Sequence, residues 1–263
     1  MINSIETFPI QRVTKEGKED TEDIVTRELP FTIILNNQEL VTLLCSPRDL
    51  KYLAIGFLAS EGLLKSKDEI RKIMVDDLRG LVRVETEGDN EHASELLFKR
   101  LITSGCGRGA SFYSAVDATG QKVESQMEIS ADEIFALVNE FQHGSQLYLA
   151  THGVHSAALC DRKSILVFNE DIGRHNAIDK IFGRCLLEDI PTDNRIVITS
   201  GRITSEILHK VAKRGIPIII SISAPTNLGV RIADSLGITL IASVRGKKMK
   251  VYTYGWRVAV DGE

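Results

Sequence analysis

The amino-acid sequence predicts an α/β protein, with a C-terminal, mostly parallel sheet flanked by helices and a smaller N-terminal α+β domain. Three observations carry this expectation. Beyond Gln146, apolar β-rich runs recur at Ile165–Phe168, Arg195–Thr199, Ile216–Ser221 and Ile238–Ser243. Helical stretches at Asn176–Leu187, Ile203–Lys213 and Pro225–Leu236 alternate with them, each following a strand almost at once, as helices crossing back over a parallel sheet do. Ahead of this region the order is irregular, with short strands and helices in no repeating alternation. The change is placed before Ser130, which gives an N-terminal domain over 1–126 and a C-terminal domain over 127–263.

Taken in order, the first thirty residues are polar, and Lys15-Glu16-Gly17-Lys18-Glu19-Asp20 reads as a solvated connector or hairpin tip. Phe31–Leu35 and Glu39–Cys45 are β-rich runs split by Asn36-Asn37-Gln38, a hairpin signal. Ser46-Pro47-Arg48-Asp49 has the form of a helix start, with Ser46 as N-cap and Pro47 at the first helical position. Leu50, Leu53, Ala54, Phe57 and Leu58 follow at helical spacing, and Gly62 ends that helix. A second helix is expected from Lys67 to Met74, then a strand over Leu81–Glu85. Ser130 and Glu133 form a capping box ahead of Ile134, Leu137, Val138 and Phe141, an apolar helix face ending near Gly144. Lys247, Met249, Val251 and Tyr252 close the pattern as an edge strand after a turn at Gly246, where lysines protect an edge from unwanted pairing.

Composition narrows the function classes. Apolar content of 43% and charged content of 26% are those of an ordinary globular chain, and no run is long enough to span a bilayer. The formal net charge of −4 argues against a broad nucleic-acid-binding face, so any anion site is local. Met1-Ile2-Asn3-Ser4 has neither a basic start nor an apolar stretch of a secretory signal, and a cytoplasmic location is expected. The 4 cysteines lack disulfide or zinc spacing.

One of those cysteines stands apart. Cys106 lies in Thr103-Ser104-Gly105-Cys106-Gly107-Arg108-Gly109-Ala110-Ser111, with no apolar stripe to bury it, whereas Cys45, Cys160 and Cys185 sit within apolar patterns and read as small core residues. The thiolate is the nucleophilic form, and a nearby cation such as Arg108 or the free N–H groups of a Gly-rich turn raise its population. An inert surface thiol in a loop is the other reading of the same run.

The remaining polar motifs fall where ligands collect in open α/β sheets, at the carboxyl ends of strands. Asn169-Glu170-Asp171-Ile172-Gly173-Arg174-His175-Asn176 follows the first C-terminal run, and Ser200-Gly201-Arg202-Ile203-Thr204-Ser205-Glu206 follows the second. Ser221-Ile222-Ser223-Ala224-Pro225-Thr226-Asn227 follows the third, and Ser243-Val244-Arg245-Gly246 ends the fourth. If these strands are neighbours, their loops face one crevice of hydroxyls, helix N-termini and the arginines 174, 202 and 245. That is an anion pocket suited to pyrophosphate. The same serines, threonine and proline also fit plain helix caps, and an arginine at a strand end also pairs with carboxylates such as Glu170. His152 and His155 in Thr151-His152-Gly153-Val154-His155-Ser156-Ala157 invite a metal reading, which we discount. No C-x-x-C pair follows, and Ala157 stands where the His-x-Glu carboxylate of zinc deaminases belongs. No Walker-type loop supports a plain nucleotide-dependent enzyme.

With these motifs in hand, the chain resembles the FdhD family, the formate dehydrogenase accessory sulfurtransferases, over most of its length. The residues that carry the likeness are Gly153-Val154-His155-Ser156-Ala157-Ala158, Glu170-Asp171-Ile172-Gly173-Arg174-His175-Asn176-Ala177, Ser200-Gly201-Arg202, Ser223-Ala224-Pro225-Thr226 and the Arg245-Gly246 turn. The resemblance implies a fold similar to cytidine deaminase in the larger domain, without zinc. It implies transfer of sulfur from a cysteine desulfurase to the Mo-bis(molybdopterin guanine dinucleotide) cofactor of formate dehydrogenase, the cofactor being bound as cargo, and assembly as a homodimer. It makes Cys106 the persulfide carrier. The cofactor-binding residues it implies are Gly173, Arg174, His175, Ser200, Gly201, Arg202, Ser223, Ala224, Pro225 and Thr226, together with Ser243, Val244, Arg245, Gly246, Lys247 and Lys248. Two departures matter. Many members carry C-x-x-C where this chain has Cys106-Gly107-Arg108-Gly109, so a second loop thiol is absent, and Thr151-His152-Gly153 replaces the usual Thr-Gly-Gly. A non-catalytic chaperone that only delivers the cofactor is the rival reading.

Overall fold

The computed structural model describes residues 4–87, 101–102, 110–111 and 122–260. The N-terminal part begins with a two-stranded antiparallel hairpin, β1 (Ile5–Val13) and β2 (Lys18–Thr26), whose tip is the charged run expected there. β3 (Leu29–Leu35) and β4 (Gln38–Cys45) form the next hairpin, turned by Asn36 and Asn37 at φ 47° and 66°. Left-handed values at both central residues fit the right-handed twist of the flanking strands, and asparagine tolerates them.

Two local expectations are corrected here. Helix α1 (Leu50–Ser60) starts three residues later than the Ser46-Pro47 signal suggested, with Asp49 at its N-cap. Ser46 is 1% exposed and bonds to the C-terminal part instead of capping the helix. The expected second helix is a single 3-10 turn, Lys67–Glu69, followed by β5 (Ile70–Asp76). Its β-branched residues pair antiparallel with β6 (Leu81–Thr86), and tertiary pairing overrides the weak helical signal. The four strands order β4-β3-β6-β5, and α1 buries Leu53, Ile55 and Leu58 against Phe31, Ile33 and Val82. Short strands β7 (Leu101–Ile102) and β8 (Ala110–Ser111) pair with each other.

In the C-terminal part, β9 (Ile129–Ser130) leads into α2 (Ala131–Gly144), where the Ser130/Glu133 capping box forms as expected. Then come α3 (Gln146–Thr151), β10 (His155–Cys160), β11 (Ile165–Asp171), α4 (Arg174–Leu187), β12 (Ile196–Thr199), α5 (Ser205–Ala212), β13 (Ile218–Ser221), α6 (Asn227–Ser235), β14 (Thr239–Arg245), β15 (Lys248–Val251) and β16 (Val258–Ala259). The six-stranded sheet runs β11-β10-β12-β13-β14-β15. It is mixed rather than mostly parallel. Only β12/β13 and β13/β14 pair in parallel, because β10, which opens in a polar motif, inserts antiparallel between β11 and β12, and β15 returns as a hairpin. Alternation sends Val197, Ile219 and Leu240 to the face under α4, α5 and α6, and Ile196, Ile198, Ile220 and Ile241 to the face under α2.

The two parts meet along α1 and α4. A Cβ on Gly56 would lie 1.8 Å from the Asp179 carbonyl oxygen, and one on Gly183 would lie 1.9 Å from that of Tyr52, so both glycines are needed for backbone contact. Ser60 Oγ donates to Asp179 Oδ1 at 2.7 Å, and Lys210 Nζ donates to the other carboxylate oxygen at 2.5 Å. Among the described residues, no helix is long and apolar enough to cross a membrane.

Candidate functional site

Because β11 and β12 are both antiparallel to β10, and β12, β13 and β14 are mutually parallel, the carboxyl ends of β11, β12, β13 and β14 share one sheet edge with the start of β10. All four motif loops therefore lie on that edge. They also touch. A Cβ on Gly201 would lie 2.7 Å from Arg174 Cβ, so the Arg174 stem rests on the Ser200–Arg202 loop. Ser221 Oγ donates to the Gly201 carbonyl at 2.7 Å, and the Ser243 N–H donates to the Ser223 carbonyl at 2.9 Å.

The loop after β11 is held from within. Asp171 is fully buried and ion-paired with the fully buried Lys180 at 2.7 Å. Its carboxylate accepts from the Gly173 N–H and Asn176 Nδ2, both at 2.9 Å, and from the Ser46 N–H at 3.0 Å. Ser46 Oγ accepts from the Ile172 N–H at 3.1 Å, and Lys180 Nζ donates to the carbonyls of Ser46 and Glu170. Asp171 and Asn176 are thus structural, and they present Gly173, Arg174 and His175 at the N-terminus of α4. His175 Nε2 lies 3.0 Å from Glu206 Oε2, which ties α4 to α5. Burial lowers the His175 pKa against the pull of Glu206, and the histidine bond in turn lowers that of Glu206.

The other implied ligands divide by exposure. Arg202, Arg245, Lys247 and Lys248 are exposed cations on this edge. Ser223, Pro225 and Thr226 are half-buried and Ala224 is exposed. Thr226 caps α6 through the Gly229 N–H, and Pro225 lies just outside that helix, not at its first position. The Val244 side chain is 1% exposed and belongs to the core, leaving only its backbone for a ligand, and Ser243 and Gly246 take left-handed φ of 56° and 55°. Cys106 lies outside the described residues. The other three cysteines are core residues as expected, with burial raising the pKa of Cys45 to about 12, that of Cys185 to about 11, and that of Cys160 as well.

Beside the loops, under α2 and α3, lies a cavity of about 660 Å³ reached by His152, His155, Ser156 and Ser200. Reasoning from sequence alone did not connect Tyr148, Ser145 and Phe141, which also line it, to the site. His152 ends α3 at φ 51°, a conformation glycine adopts without cost, and packs edge-on against Tyr148 at 5.1 Å. His155 Nδ1 is 3.2 Å from Ser200 Oγ, and its pKa is lowered by burial first and then by Arg174 and His175. Among the described residues, no three His, Cys, Asp or Glu side chains gather as a metal-holding group.

Known proteins resemble this chain in sequence and in fold. The family model FdhD/NarQ matches residues 26–259. The chain is 45% identical over 237 residues to the sulfur carrier protein FdhD of Bacillus pumilus, covering 90% of each chain. It is 39% identical over 256 residues to that of Staphylococcus aureus strain MRSA252, covering 97% of this chain and 96% of the other. A crystal structure assigned to a formate dehydrogenase accessory protein from Desulfotalea psychrophila superposes with a TM-score of 0.82 at 28% identity, covering 98% of this chain and 100% of that one. With the family match spanning nearly the whole chain and the motif loops on one edge of the sheet, the protein belongs to the FdhD/NarQ family.

Proposed function

We propose that this chain is a sulfur carrier serving formate dehydrogenase in the cytoplasm, with Cys106 as its persulfide-bearing thiol and the Mo-bis(molybdopterin guanine dinucleotide) cofactor as the cargo of its C-terminal loops. The observation that carries the reading is the meeting of four motif loops, with Arg174, Arg202 and Arg245, on one sheet edge. Such an edge, with the α4 N-terminus and forked guanidinium donors, suits pyrophosphate. In this reading residues 1–126 carry the sulfur and residues 127–263 the cofactor, and the chain acts as a homodimer. The Cys106 thiolate attacks the terminal sulfur of a desulfurase persulfide, forming Cys106–S–SH as the desulfurase cysteine leaves as thiolate.

Gly109, where a second cysteine would complete C-x-x-C, favours one alternative, a chaperone that binds the cofactor without moving sulfur. The two are separated by pairing desulfurase loading with titration of GDP. Cys106→Ser is expected to abolish loading and leave GDP affinity intact, while Arg202→Ala and Arg245→Ala weaken GDP binding and leave loading intact. Unchanged affinity in both arginine variants counts against the cradle, and undiminished sulfur relay in Cys106→Ser counts against the carrier.

A further inference from the structure

Resting on the reading of that edge as an anion cradle, we infer that Ser46, from the N-terminal part, is a positioning residue for it. Its hydroxyl fixes the turn at Ile172–Gly173, and through that turn the aim of Arg174, His175 and the first N–H groups of α4. Two bonds hold the turn. Asp171 takes the Gly173 N–H at 2.9 Å from within the loop, whereas Ser46 Oγ takes the Ile172 N–H at 3.1 Å from 126 positions away. Helix α4 then begins after Gly173, at φ −101° and ψ 124°, with no side-chain cap.

All three polar groups of Ser46 face this region. Its N–H donates to Asp171 Oδ2 at 3.0 Å, its hydroxyl oxygen accepts from Ile172, and its carbonyl accepts from Lys180 Nζ at 3.3 Å. Two residues earlier the Leu44 carbonyl accepts from Asn176 Nδ2 at 2.9 Å, and a Cβ on Gly173 would lie 2.9 Å from that same nitrogen. The end of β4 is therefore the seat on which the turn packs. That seat is dry, with Ser46 at 1% exposure and Asp171 at 0%. A buried N–H stripped of its acceptor is unfavourable, so without the Ser46 oxygen Ile172 turns toward another acceptor or water and carries Gly173 and Arg174 with it. Forked guanidinium and helix-terminal donors lose strength with small misalignments, so this shift is felt at the cradle. Linkage is reciprocal: an anion that favours the seated turn also tightens the junction of β4 and α1.

The test uses the full chain, with inorganic pyrophosphate as the probe in titration calorimetry. Ser46→Ala deletes the hydroxyl and keeps the backbone bonds to Asp171 and Lys180. Pyrophosphate affinity is expected to fall roughly three- to thirtyfold, the range for coupling through a residue that touches no ligand, and to recover in Ser46→Thr, which restores the hydroxyl. Ser60→Ala is the control. It loses another buried hydroxyl bond of the contact between the two parts, to Asp179 Oδ1 at 2.7 Å, and is expected to lose urea stability while keeping wild-type affinity. A second measurement needs no variant: saturating pyrophosphate is expected to slow hydrogen exchange of the wild-type peptide spanning Leu44–Leu50, which holds no cradle residue. Affinity of Ser46→Ala within about twofold of wild type, an equal loss in Ser60→Ala, or a folded Ser46→Thr without recovery overturns the positioning role and leaves the cradle standing. Unchanged exchange over Leu44–Leu50 does the same, and it decides alone if Ser46→Ala does not fold. If pyrophosphate does not bind wild-type protein, the cradle and this inference fall together.

Discussion

Replacing Lys180 by Met removes one charge from a pair that is entirely out of solvent, at nearly constant side-chain volume. The ammonium lies 2.7 Å from Asp171, and both side chains have 0% exposure. Asp171 keeps three N–H donors, from Ser46, Gly173 and Asn176, but loses its counter-charge. Breaking a buried pair from one side costs about 3–5 kcal/mol. A chain of this size loses roughly 2–4 °C of Tm per kcal/mol, which corresponds to a fall of roughly 6–20 °C. Thermal and urea unfolding followed by circular dichroism measure this directly. Asp171→Asn combined with Lys180→Met removes both charges, so its cost is expected to fall short of the sum of the two single changes. A loss below about 1 kcal/mol for Lys180→Met, or strict additivity in the double variant, refutes the reasoning that this pair holds the loop bearing Arg174 and His175.

Two further outcomes follow from the same structure. Gly56→Ala forces a methyl to 1.8 Å from the Asp179 carbonyl, backbone against backbone, so α1 and α4 separate and stability drops by about 3 kcal/mol or more; a wild-type urea midpoint contradicts the packing described. His155 and His175 both have lowered pKa values in the folded chain, chiefly through burial, so on acidification the unfolded chain binds those protons first. Stability therefore declines as pH falls below about 6.5, the ordinary imidazole value, toward the folded values. The contribution of Glu206, whose folded pKa is lowered, persists until lower pH. Melting between pH 5 and 8 is expected to show a shallower slope in His155→Gln, and an identical slope contradicts this assignment.

Much of this architecture was legible in the sequence because its signals are local. The Ser130/Glu133 box, the Asn36-Asn37 turn and the apolar runs that became β11 to β14 each fix an element within a few residues, and the three core cysteines follow from their apolar neighbours. The motif loops were expected on one edge if their strands were neighbours; β10 lies between β11 and β12, yet the four strand ends share that edge. Long-range partners were not legible. Ser46 carries a helix-start signature, yet its hydroxyl and N–H serve residues more than a hundred positions away. Lys180, set among Ala177, Ile178, Ile181 and Phe182 on an apolar helix face, was the available hint of a buried ion pair. The antiparallel insertion of β10 was hidden because its strand opens in a polar motif, and the cavity beneath α3 depends on a short helix with no buried face.

The central claim is that the Cys106 thiol carries sulfur, and it is tested by tryptic mass spectrometry of the chain after incubation with a cysteine desulfurase and cysteine. The expected result is a mass gain of one sulfur on the peptide containing Cys106, removed by dithiothreitol and absent from Cys106→Ser. A persulfide found only on Cys45, Cys160 or Cys185, or no sulfur gain on any peptide under a loading condition that charges a known acceptor, contradicts it.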